Sequence, residues 1–97
     1  MRFSETMSRM TGGPNVVALR AALAEQIRRV RQKRGLSQEE LAWRSGLHRT
    51  YISMIERAQR SVTIDSLEGI AVALELSASA LLARAERSRQ RSGPSAR

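Results

Sequence analysis

The stretch "SQEELAWRSGLHRTYISMIERA", Ser37 to Ala58, decides the fold. Ser37 and Glu40 have the spacing of a capping box. The serine hydroxyl accepts from the Glu40 amide, and the glutamate reaches back to the serine amide. The helix so opened is short, because Gly46 interrupts it, and Leu41 and Ala42 are its inward residues. A further helix starts near Arg49. Leu47, Ile52 and Ile55 are spaced to bury one side of it, which leaves Arg49, Thr50, Ser53, Met54 and Arg57 on the other.

Working outward, the flanking segments are also helical. Asn15 is placed to cap a helix running to Arg34, with Val16, Leu19, Leu23, Ile27 and Val30 as its buried stripe. Gly35 suits the left-handed residue that ends it. After a loop, "AQRSVT", Thr63 caps a fourth helix with Ile64, Leu67, Ile70, Ala71 and Leu74 inward. Ser77 caps a fifth, which carries Leu81 and Leu82 and fades near Arg87. Strand alternation never persists. The expected fold is all-α, five short helices with brief connections over residues 15–87. Residues 1–14 and 88–97 read as flexible basic arms, rich in breakers and polar residues.

Composition bounds the function. The 97 residues carry 17 Lys and Arg against 9 Asp and Glu, a net charge of +8. Lys33 is the only lysine. Arginine's planar fork pairs bidentately with phosphate, so nucleic acid is the first partner to consider. The alternative is a basic surface that serves solubility alone. There is no cysteine, which excludes disulfides and thiolate metal sites. His48 is the only histidine and has no second ligand to share a metal, nor a nucleophile to activate. No metal, cofactor or enzymatic activity is therefore expected. No apolar run approaches the ~18 residues of a membrane span. A soluble, cytoplasmic protein is expected.

Two short helices about a glycine turn have the layout of a helix-turn-helix. The segments "GLSQEELA", "SGLHRTYISMIER", "TIDSLEGIAVAL" and "LSASALL", in that order, closely resemble the lambda-repressor/Cro-like helix-turn-helix family, also called the XRE family. The resemblance spans about residues 18–83. It implies a compact five-helix bundle whose third helix enters the DNA major groove while the second crosses the backbone. It also implies a transcriptional regulator that binds a palindromic operator as a homodimer. No separate sensor domain is expected after the bundle, so control would rest on concentration or on a protein partner. The rival class is an antitoxin-type interaction module with secondary operator binding.

Specific roles follow from the resemblance. Arg49, Thr50, Ser53 and Met54 are candidates for base contact. Arg49 would bond guanine or, alternatively, a phosphate. Met54 would face a thymine methyl or tuck against the bundle. Gln38, Arg44, His48, Tyr51, Arg57, Gln59 and Arg60 are candidates for phosphate contact. Trp43 either packs on the bundle edge or lies near the backbone. Arg31 and Glu56 match an ion pair between the first and third helices. Ala78, Leu81, Leu82 and Ala85 are the expected dimer contacts. Ala58 and Glu75 depart from the family pattern, standing where glycine is usual. Val62 and Thr63 also depart, in a loop that often holds proline. A left-handed backbone at a non-glycine residue costs roughly 1 kcal/mol. Either that strain is accepted or the two helices end differently.

Overall fold

Pro14 opens the first helix, α1 (Pro14–Lys33), in a computed structural model that describes residues 14–92. Proline's fixed φ suits a first helical turn, where its missing N–H is no loss. Asn15 therefore lies inside the helix and not at its cap. The side chain of Val16 falls outside the described set. Next come α2 (Gln38–Ser45), α3 (Arg49–Glu56), α4 (Ile64–Ala73) and α5 (Ala78–Ser92).

Local chemistry sets the starts. Ser37 and Glu40 form the expected capping box: the Glu40 amide donates to Ser37 Oγ at 3.0 Å, and the Ser37 amide donates to Glu40 Oε1 at 2.9 Å. Thr63 Oγ1 accepts from the Ser66 amide, and Ser77 Oγ from the Ala80 amide, both at 3.0 Å. α3 begins differently. His48 holds the extended N-cap geometry but makes no side-chain cap.

The stops of α1 to α4 share one design. Gly35, Gly46, Ala58 and Glu75 all have φ between 59° and 73°. Each directs its amide to the carbonyl three residues back, and the next residue's amide reaches the carbonyl five back. Gln59, for example, donates to the Met54 carbonyl at 2.9 Å, and Leu76 to Ala71 at 2.8 Å. This is the Schellman motif, which satisfies carbonyls the helix end would otherwise leave open. Both departures from glycine thus accept the left-handed backbone.

The core takes at least one large, fully buried side chain from every helix: Ile27, Leu41, Ile52, Ile70 with Leu74 at the end of the same helix, and Leu81. Burying each such side chain contributes roughly 1.5–3 kcal/mol. α5 lies along α1, α2 packs between α3 and α4, and α3 also touches α1. Gly69 of α4 permits the close approach to α2, since a Cβ there would meet the Ser45 carbonyl oxygen at 3.0 Å. No single described helix is long and apolar enough to cross a membrane.

Three expectations need correction. Ile64 was expected inward but is 77% exposed, because as the first residue of α4 it precedes the turn that meets the core. Trp43 is 85% exposed and does not pack on the bundle edge; Leu41 and Ala42 occupy the inward side of its short helix. The last helix does not fade near Arg87 but runs to Ser92, with Glu86 and Arg89 paired at 2.8 Å along its surface. Residues 88–92 of the expected tail are therefore helical. The remainder of both expected arms, residues 1–13 and 93–97, lies outside the described residues.

Because Ala58 sits at φ 59°, Ala58→Gly is expected to raise stability by about 1 kcal/mol. For a domain of this size that corresponds to a rise in melting temperature of roughly 4–8 °C, measurable by thermal denaturation.

Candidate nucleic-acid interface

The candidate interface depends on how α3 is anchored. Ile52 and Ile55 fix its inner side in the core. Glu56, its last residue, is only 3% exposed although charged. A carboxylate so buried requires partners. Arg31 supplies two bonds, Nε to Oε2 at 2.7 Å and Nη2 to Oε1 at 3.0 Å. Gln38 Nε2 donates to Oε1 at 3.0 Å. Arg31 also donates from Nη1 to the Leu36 carbonyl at 2.9 Å. One network thus joins α1, the turn after it, the first residue of α2 and the end of α3. Among the described residues no buried side-chain nitrogen or oxygen lacks a partner.

The other end of α3 is set by the turn. The Leu47 amide donates to the Ala42 carbonyl at 2.9 Å, and Gly46 supplies the left-handed step. With both ends held, the opposite side of α3 faces outward. Arg49 and Thr50 are exposed, and Ser53 and Met54 are half-buried. Those four lie on one side of one helix. His48, Arg57, Gln59 and Arg60, all exposed, flank its two ends.

Gln38, Tyr51 and Arg44 differ from the rest of the expected phosphate set. Gln38 is half-buried and braces Glu56. Tyr51 packs against the core, and its hydroxyl donates to the Ser61 carbonyl over 3.4 Å. The Arg60 guanidinium carbon lies 5.5 Å from the Tyr51 ring centroid, within cation–π range. Tyr51 therefore supports the α3–α4 loop from beneath. Helical periodicity carries no signal for a contact nine or ten residues away. Arg44 lines a cleft with Lys33, Arg34 and Arg84, to which α3 contributes nothing.

The expected dimer contacts also divide. Leu81 and Ala85 are wholly buried in the core of the single chain and have no surface left for a second copy. The correction has a simple cause: α5 spends its apolar side on α1 and α4. Ala78 and Leu82 retain partial exposure.

The α2–turn–α3 unit, with the polar side of α3 outward, defines a helix-turn-helix domain. The helix-turn-helix family matches residues 27–81, and the chain belongs to that family. Among its relatives, it is similar to the control protein C.SmaI of Serratia marcescens, 48% identical over 66 residues, which are 68% of this chain and 79% of that one. It is also similar to the control protein C.BamHI of Bacillus amyloliquefaciens, 46% identical over 57 residues, or 58% of this chain and 70% of the relative. A solved structure of the restriction-modification controller protein C.Esp1396I, a tetramer with its natural 35 base-pair operator, superposes with a TM-score of 0.69. It is 39% identical and covers 74% of this chain and 95% of its own.

Removing the anchor should be costly. Glu56→Ala leaves the Arg31 guanidinium desolvated and unpaired, an expected loss of about 3–5 kcal/mol. Exchanging both partners, Arg31→Met with Glu56→Leu, should recover most of it. Urea denaturation of both variants checks the pair.

Proposed function

We propose that this protein is a sequence-specific, double-stranded DNA-binding transcriptional regulator of the restriction-modification controller kind. It acts as a homodimer on a palindromic operator, with α3 of each copy in the major groove. The observation that carries this reading is the outward side of α3, four adjacent side chains held by a buried anchor at one end and a glycine turn at the other. The similarity to control proteins, one of them solved on its operator, supports it.

In this proposal Arg49 bonds guanine O6 and N7, Thr50 and Ser53 make close base contacts, and Met54 meets an apolar base edge. Gln38, at the first residue of α2, keeps its role of bracing Glu56 while its helix terminus approaches a phosphate. His48, Arg57, Gln59 and Arg60 take the backbone on either side. Tyr51 acts by positioning Arg60. Two half-sites one helical turn apart, about 34–36 Å, require two reading helices and hence two copies. Ala78 and Leu82 contribute to that contact from α5.

Selection from random duplexes should return an inverted repeat with this spacing; recovery of no preferred sequence would sink the reading. Arg49→Ala is expected to weaken operator binding by ~1–3 kcal/mol and to relax a single base position. Arg60→Ala should weaken all sequences alike and reduce the salt slope by about one. Titrations of both variants at several salt concentrations distinguish the two behaviours.

A further inference from the structure

A cleft of about 390 Å³ opens where α1, α2 and α4 end against the middle of α5. It shares no residue with α3. Its floor is apolar, formed by Val30, Leu36 and Ala73. Its rim carries Lys33, Arg34, Arg44 and Arg84 against a single carboxylate, Glu75. That carboxylate is already engaged, by Arg34 Nη1 at 3.0 Å. Among the described residues Lys33, Arg44 and Arg84 have no ion-pair partner.

Helix C-termini favour nearby cations, which accounts in part for Lys33, Arg34 and Arg44. It does not account for Arg84, which stands in the middle of α5 and meets the others only through the fold. Four cations converging on an apolar floor are complementary to a ligand with two parts. One part is an anion with several acceptor oxygens, suited to guanidinium forks. The other is an apolar or planar body that covers the floor. The volume falls in the range of small-molecule sites.

We infer that the cleft between α1, α2, α4 and α5 binds a phosphorylated small molecule of the nucleotide class. The phosphates meet Arg34, Arg44 and Arg84, and the planar body lies on Val30 and Leu36. Binding competes with Glu75 for Arg34, so the carboxylate weakens the ligand's hold. The site is independent of the DNA-reading proposal, because α3 takes no part in it.

The test uses the full chain without DNA, with ADP, adenosine and pyrophosphate as probes at low salt. Calorimetry should show ADP binding more tightly than either fragment. Amide shift mapping should place the changes at residues 33–36, 73–75 and around Arg84. Arg84→Ala should weaken ADP about tenfold or more, the loss of one charge-assisted contact. Glu75→Gln should tighten it, and Arg49→Ala should leave it unchanged. Four results with these probes overturn the proposal. They are no ADP binding at millimolar concentration, pyrophosphate binding as well as ADP, shifts centred on residues 49–54, or undiminished binding to an Arg84→Ala variant whose circular dichroism is native. A random-sequence duplex that shifts the same cleft amides would instead assign the surface to a DNA backbone, and would also overturn it.

Discussion

The Glu56 carboxylate, buried at the end of α3, is the constraint on which the rest of the architecture turns. A desolvated charge is tolerable only where partners meet it with good geometry. Those partners come from two other places in the chain, Arg31 on α1 and Gln38 on α2, and Arg31 is itself held by the Leu36 carbonyl. Satisfying one carboxylate therefore fixes the relative placement of three helices. The net stabilisation from such a pair is modest, since desolvation offsets much of the attraction. Its effect is chiefly geometric. It determines which side of α3 is inward, and so which side is left for another molecule.

Repeated use of one helix stop gives the bundle its short connections. Four Schellman turns end four successive helices, and each redirects the chain within a few residues, by 94° between α4 and α5. At Gly35 and Gly46 the left-handed backbone carries no steric penalty. Ala58 and Glu75 accept the same backbone at a cost of roughly 1 kcal/mol each. The apolar core, with a large buried side chain from every helix, supplies enough stability to hold them there. At Ala58 the consequence is local and useful. The turn delivers Gln59 and Arg60 to the end of α3, where Tyr51 receives the guanidinium.

Much of this was legible along the chain. The capping box at Ser37 and Glu40, the glycine stop at Gly46 and the three-residue spacing of Ile52 and Ile55 are local signals, and they place α2 and α3 correctly. The match between Arg31 and Glu56 was readable only through the family resemblance, and the geometry bears it out. Burial that depends on the neighbouring element is not legible in this way. Ile64 has a core-like position in its own periodicity yet lies at a helix end that nothing covers. Leu81 and Ala85 looked like spare apolar surface because the extent of α1 they cover is not visible in their own segment. α5 runs beyond Arg87 to Ser92, since polarity alone does not stop a helix that contains no breaker before Gly93.

The sequence by itself determined the five helices, the glycine stops at Gly35 and Gly46, the excess of arginine and the chemical character of the outward side of α3. These are properties of residues within one or two helical turns of each other, where capping and periodicity operate. Tertiary structure alone decided that Gln38 would brace Glu56, that Tyr51 would support Arg60, and that Lys33, Arg34, Arg44 and Arg84 would surround one cleft. Each of those contacts joins positions nine or more residues apart, or draws on three or more elements at once. No local period encodes such a meeting, because it depends on how the helices pack.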